Sequence, residues 1–244
     1  MDNLFKKQLP IGVFDSGIGG LNVLYRAKKI LKNENFIYLG DNINAPYGNK
    51  SLSNLKALAS KNIEILCKLN VKAICVACNT LSTSIYEYIK SISPVPIIPT
   101  LPVNISNHND VATLIATPNT IKSEYVINNF KNVYKLPLPF LAGEIEKNIF
   151  TPSKINVLHD MRGLNYDCNL IILGCTHYSF IKNTIKTITG VKVVDTLDHT
   201  ANLIAETLIK YNLSNKNGGK IAFIGDYKEY NEKVFNTLLR GKMG

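Results

Sequence analysis

Val71-Lys-Ala-Ile-Cys-Val-Ala-Cys-Asn-Thr80 is an apolar run that stops at a small residue, Ala77, and then presents a cysteine followed by small polar residues. Cys168-Asn-Leu-Ile-Ile-Leu-Gly-Cys-Thr-His177 repeats the pattern, with Gly174 as the small residue and Cys175 as the cysteine. A short, continuous apolar run closed by turn-forming residues reads as a strand buried on both faces. An amphipathic stretch and another short apolar run follow each copy. The pair therefore reads as two strand ends, each presenting a thiol in the same way.

Strand-like runs are expected at 11–15, 36–40, 73–77, 95–98, 112–117, 170–174, 191–195 and 220–225. Between them, Leu52, Leu55, Ala59, Ile63 and Leu66 recur at helical spacing, as do Leu203, Thr207 and Leu208. Alternating β and α segments predict an α/β fold with mainly parallel sheets. The repeat reaches beyond the cysteines. Each half opens on a strand that ends in a turn-rich motif, Asp15-Ser-Gly17 in the first and Thr117-Pro-Asn-Thr120 in the second. Two similar lobes related by a pseudo-twofold axis account for this. Ligands in such folds bind beyond the carboxyl ends of the strands, so a cleft between the lobes would hold all four motifs. Prolines at 94, 96, 99 and 102 mark the lobe boundary. The expected division is 1–100 plus about 196–244 for the lobe with Cys78, and about 101–195 for the lobe with Cys175.

The 244 residues, 45% of them hydrophobic, suffice to bury a sizeable core and contain no apolar run of membrane-spanning length. The first ten residues lack the apolar segment of a secretory signal, and five cysteines are an odd number for a disulfide framework. A cytoplasmic protein is expected. The net charge of +10 invites a nucleic-acid reading. The lysines, however, are scattered over helix-like faces (Lys28, Lys29, Lys32; Lys182, Lys186) and never cluster with aromatics, so a solvated basic surface is expected and no specific nucleic acid or membrane partner.

Asp15-Ser-Gly-Ile-Gly-Gly20 has glycines that let backbone approach a ligand and a helix start that favours an anion. It lacks the dinucleotide fingerprint and the P-loop lysine, and a plain tight turn explains it equally well. The loop Gly40-Asp-Asn-Ile-Asn-Ala-Pro-Tyr-Gly48 is rich in turn formers, with Asp41 and Asn42 as caps and Tyr47 and Gly48 as a backbone surface for a small ligand. Cys67, Cys75 and Cys168 read as small buried hydrophobes. Cys78 and Cys175 do not, because they end their strands beside Asn-Thr and Thr-His. Metal binding would want four ligands, and no pair of CxxC motifs at zinc spacing is present, so no metal is expected. A hydrolase would use one cysteine with a histidine base and leave the second idle. Proton transfer by a matched pair uses both, one thiolate removing a proton from carbon and the opposite thiol returning one, with Asp15 and His177 as tuning neighbours.

At this point five ordered stretches carry a resemblance. They are Val13-Phe-Asp-Ser-Gly-Ile-Gly-Gly-Leu21, Gly40-Asp41 with Pro46-Tyr-Gly48, Ala77-Cys-Asn-Thr80, Ala116-Thr-Pro-Asn-Thr-Ile-Lys-Ser123 and Leu173-Gly-Cys-Thr-His-Tyr178. Over nearly its whole length the chain resembles the glutamate racemases of the aspartate/glutamate racemase family. The resemblance implies a two-lobed α/β enzyme that works without a cofactor, takes L-/D-glutamate as its small-molecule substrate, supplies D-glutamate for peptidoglycan and forms a homodimer. It further implies Cys78 and Cys175 as the acid/base thiols, assisted by Asp15 and His177 respectively. Ser16, Tyr47, Gly48, Asn79, Thr80, Thr117, Thr120 and Thr176, together with Asp15 and His177, would hold the substrate. Departures from the family pattern include Ser179 in place of proline, Asn42-Ile-Asn-Ala45 in place of an Ala-Arg type of loop, and a weakly matching segment 136–146 in which Pro139 and Glu146 stand out. An aspartate or broad-specificity amino-acid racemase is the nearest alternative, and a catalytically silent amino-acid-binding protein is one from another class.

Overall fold

The computed structural model describes residues 3–165 and 167–241. The chain starts with α1 (Asn3–Gln8) and β1 (Ile11–Asp15), then α2 (Gly20–Ile30), β2 (Phe36–Gly40) and a 3-10 turn at Asn42–Asn44. There follow α3 (Leu52–Lys68), β3 (Ala73–Val76), α4 (Asn79–Ser84), α5 (Tyr86–Ile92) and β4 (Ile97–Pro99). The alternation then repeats as β5 (Ala112–Ala116), α6 (Pro118–Lys122), α7 (Glu124–Asn129), β6 (Tyr134–Pro137), α8 (Leu141–Asn148) and α9 (Val157–Asp160). It continues through β7 (Leu170–Leu173), a 3-10 helix at Thr176–Ile181, α10 (Lys182–Thr189) and β8 (Lys192–Asp195). The last elements are α11 (Leu197–Lys210), β9 (Ile221–Ile224) and α12 (Lys228–Leu239).

The strands form two sheets, β4-β3-β1-β2-β9 and β6-β5-β7-β8, in which every pairing is parallel. Read from its other edge, the second sheet is β8-β7-β5-β6, the order β4-β3-β1-β2 shifted by four strands. The repeat seen around the two cysteines is thus a repeat of whole sheets, with β9 added at the edge of the first through its pairing to β2. Apolar side chains on both faces of these strands require cover on both faces. An inner core runs from Val13, Leu21 and Tyr38 of the first half to Ile115, Ile145 and Tyr178 of the second. Separate clusters lie on the outer faces, around Leu55, Ile63 and Ile74 on one sheet and around Leu114, Phe130 and Ile172 on the other. The shared inner core fixes the two sheets relative to each other. No helix among the described residues is long and apolar enough to cross a membrane.

The strand list needs one addition, and both helical patterns hold. β6 was absent from the expected strands. It is an edge strand, Tyr-Lys-Leu-Pro, in which Lys135 and Pro137 flank the one buried residue, Leu136, so no two aliphatic residues stand side by side to mark it. On α3, Leu55, Ala59, Ile63 and Leu66 are buried with Asn62, but Leu52 in the first turn is 55% exposed. On α11 the buried stripe is Leu197, Ala201, Ile204 and Leu208, with Leu203 and Thr207 at its margin, because the helix lies on α2 along that line.

Candidate active site

Parallel pairing puts the carboxyl ends of β1, β3, β5 and β7 on a common side of their sheets, and the four motifs follow these ends. Cys78 and Cys175 take the same place in the two halves. Each is in extended backbone, at φ −119°, ψ 115° and φ −145°, ψ 131°, one residue before a helical turn. Both thiols line one narrow, nearly closed cavity. Ser16, Tyr47, Gly48, Asn79 and Thr80 come to its wall from the first half, and Thr117, Thr176 and His177 from the second. Pro46 and Ala142 complete it. Asp15 and Thr120 are fully buried behind this wall rather than on it.

The loop after β1 holds its own anions. The Asp15 carboxylate accepts from the backbone N–H of Gly17 (3.3 Å) and of Gly20 (3.0 Å), and Glu146 accepts from that of Ile18 (3.0 Å). The helix start, which reads equally as an anion site or a plain turn, is occupied by two side-chain carboxylates. The other Asp15 oxygen is buried and has no hydrogen-bond partner. Burial raises the Asp15 carboxyl, against the pull of the His177 charge. Burial also pushes the Cys78 thiol well above its ordinary range, and the negative charge of Asp15 pushes it further. Cys78 thus rests as a thiol beside a carboxylate.

Cys175 has a different neighbour. Its Sγ lies 4.0 Å from Nδ1 of His177, whose Nε2 meets the Glu146 carboxylate at 2.7 Å. Burial alone would drag the imidazole down, but its hydrogen bonds to Cys175 and Glu146 and the charges of Glu146 and Asp15 outweigh it, and the ring is held well above its ordinary range. Glu146 responds in the opposite sense. Burial raises it, the bond and charge of His177 lower it more, and the N–H of Ile18 and the amide of Asn42 add to that. One thiol therefore neighbours a buried aspartate and the other a histidine held by a glutamate.

The hydroxyl and amide groups around the thiols are already ordered. Thr80 and Thr117 bond across the halves at 2.9 Å, and Thr117 donates to Thr120 at 3.0 Å. The Asn79 amide donates to the Thr100 carbonyl at 3.0 Å. The Tyr47 hydroxyl donates to Asp41 (2.5 Å) and accepts from Asn62 (3.2 Å), so this residue offers the cavity its ring and backbone. Asp41 spends its carboxylate on Tyr47 and Asn44 instead of capping the turn, and Asn42 spends its amide on Glu146. Gly48 has a steric reason to be glycine, since a Cβ there would lie 2.6 Å from that of Thr117. At Gly19 a Cβ would fall on the His177 ring and the Thr176 hydroxyl. Of the remaining cysteines, Cys75 and Cys168 are buried as expected, whereas Cys67 is only half-buried on α3. Sequence reasoning left out the Asn22 amide, which donates to the Thr176 carbonyl (3.0 Å), and the Tyr38 hydroxyl, which donates to the Gly17 carbonyl (2.6 Å). It also left the role of Glu146 open.

No protein-family model matches the chain. Curated relatives do. The chain is 38% identical over 251 aligned positions to the glutamate racemase of Clostridium novyi, covering 95% of this chain and 92% of that protein. It is 37% identical over 241 positions to that of Clostridium acetobutylicum, covering 91% and 94%. Among solved structures, the glutamate racemase of Francisella tularensis in complex with D-glutamate superposes with a TM-score of 0.78 at 31% identity, covering 94% of each chain. Such identity over almost the full length of both partners, on the same fold, places this chain in the glutamate racemase family.

Proposed function

We propose that the protein is a cofactor-independent glutamate racemase in which Cys78 and Cys175 exchange the α-proton of glutamate on opposite faces. The observation that carries this is the pair of thiols at equivalent positions of the two halves, on the wall of one cavity, with unlike partners. In the L to D direction Cys175, beside the His177 ring, takes the Cα proton. Cys78, kept as a thiol by burial and Asp15, delivers its proton to the other face. The D to L direction reverses the roles. Charge accumulating on the α-carboxylate is met by donors already fixed in place, drawn from Ser16, Asn79, Thr80, Thr117 and Thr176 and the backbone at Tyr47 and Gly48. Thr120 and Asp15 support this wall from behind. The wall belongs to a protein with the lobe division 1–100 plus 196–244 and 101–195, acting in the cytoplasm as a homodimer and supplying D-glutamate for peptidoglycan.

The direct test is solvent deuterium incorporation at Cα of L-glutamate, with circular dichroism following the loss of optical activity and no cofactor added. Deuterium uptake with decay to the racemate is expected, and L-aspartate should turn over far more slowly. Uptake with L-aspartate alone would keep the chemistry and overturn the substrate. Inertness toward both would overturn the function.

Glu146→Gln provides a second test. Its wild-type partner His177 has a raised pKa, so the ring keeps its charge to higher pH than an ordinary imidazole. Without the Glu146 carboxylate, burial is opposed by Cys175 and Asp15 alone, so the ring loses its proton at lower pH than in wild type. The kcat of the variant should fall by about tenfold between pH 6 and 8 relative to wild type. Parallel pH profiles would show that Glu146 does not hold the charge on His177.

A further inference from the structure

The groups behind His177 form a chain that reaches the last helix. Glu146 belongs to the second half, on α8, yet it collects donors from the first. Ile18 N–H and the Asn42 amide reach its carboxylate at 3.0 and 2.6 Å, and the Tyr230 hydroxyl reaches its carbonyl at 3.1 Å. Asn42 is itself held. Its Oδ1 accepts from Nδ2 of Asn231 at 2.9 Å, and Asn231 is completely buried on α12 between the sheet and the turn Asn42–Asn44. An amide has one donating and one accepting end. Because Asn231 claims the accepting end of Asn42, the donating end must face Glu146. Asn42 stands in the stretch where this chain departs from the family pattern.

We propose that Asn231 and Asn42 are positioning residues for the Cys175 side of the reaction. Asn231 orients the Asn42 amide, and Asn42 fixes the Glu146 carboxylate against His177. This rests on the racemase function proposed above. Neither asparagine lines the thiol cavity. They act through Glu146 and His177, so their loss should raise the barrier for proton transfer at Cys175 and leave that at Cys78 nearly untouched. The opposite thiol has its own neighbour, Asp15, which is held by Gly17 and Gly20 and not by this chain of amides.

The consequence is measurable although both directions share one equilibrium. L- and D-glutamate are equal in free energy, so kcat/KM for the two directions must stay equal in every variant. Asymmetry shows instead in primary isotope effects. If the Cys175 step becomes more rate-limiting, the effect with Cα-deuterated L-glutamate rises and that with Cα-deuterated D-glutamate falls.

The test uses Asn42→Ala, at a half-buried position, and Asn231→Asp, which keeps the shape of the buried side chain but removes its donor. Each should lower kcat by about ten- to a hundredfold, as expected for a displaced reacting group, and split the two isotope effects in the sense given. The double variant should be no slower than the slower single one, because both act on the same carboxylate. Unchanged isotope effects, or equal changes with both enantiomers, would overturn the proposal. Should Asn231→Asp fail to fold, Asn42→Ala decides alone. A wild-type protein that does not racemise glutamate would instead overturn the function on which the proposal rests.

Discussion

Cys78→Ala and Cys175→Ala will each lower kcat for glutamate racemisation by at least about 10³-fold, measured by circular dichroism from either enantiomer, the upper range for loss of a positioned acid or base. Removal of the proton from Cα leaves a poorly stabilised carbanion, and fixed donors in the cavity can lower its energy but cannot supply the proton that inverts the centre. With one thiol gone, one face of Cα has neither acid nor base. Both cysteines are buried, at 5% and 8% exposure, and each exchange removes a single sulfur, so the fold should remain intact. Retention of full activity by either variant would rule out the two-thiol scheme.

The same variants make a sharper prediction with a substrate that needs only one proton abstraction. A glutamate with chlorine at Cβ can lose its α-proton to a thiolate while the Cβ–Cl bond breaks and chloride leaves. The resulting enamine then hydrolyses to 2-oxoglutarate and ammonium. Cys78→Ala keeps Cys175 and should eliminate from the L-configured analogue. Cys175→Ala keeps Cys78 and should eliminate from the D-configured one. Equal activity of both variants on both enantiomers would show that the thiols do not serve opposite faces.

The parts that the sequence reveals are those written by local pattern. Most of the strands carry adjacent apolar residues, and the thiol motifs repeat on strands with matching places in both sheets. β6 escapes because Lys135 and Pro137 flank Leu136 and leave no two aliphatic residues side by side. Pairing between distant polar groups leaves no periodic trace. His177 and Glu146 are 31 residues apart, and Asn42 and Asn231 are 189 apart. No spacing rule connects such residues, which meet only because two sheets and the returning C-terminal segment pack around one core. The helix start after β1 stays ambiguous for a related reason. Glycines and a free helix end read equally as an anion site or a plain turn until Asp15 and Glu146 are seen to accept its N–H groups.

Lys72→Met will lower stability by about 3–5 kcal/mol, the usual penalty for breaking a buried ion pair from one side. Lys72 and Glu34 are 1% and 3% exposed and meet at 2.5 Å. The ammonium also donates to the carbonyls of Lys7 (2.6 Å) and Leu213 (2.9 Å), while Glu34 accepts from Asn215 N–H (2.6 Å). The pair therefore joins the segments leading into β1, β2, β3 and β9 at their amino ends. Met leaves a charged carboxylate in the interior and two carbonyls without a donor. The ion pair of Glu64 and Lys68 is nearly as short at 2.6 Å but lies in solvent, where screening leaves it little weight, so Lys68→Met should leave stability almost unchanged. Thermal unfolding separates the two. A melting temperature lower by roughly 6–20 °C is expected for Lys72→Met, with little change for Lys68→Met. Combining Lys72→Met with Glu34→Leu should recover only part of the loss, since Asn215, Lys7 and Leu213 keep unmet backbone groups. The thiols lie at the carboxyl ends of the strands, so Lys72→Met should retain wild-type kcat well below its melting point. A melting temperature within about 2 °C of wild type, less than 1 kcal/mol in a chain of this size, would show that the buried pair is not what ties these segments together.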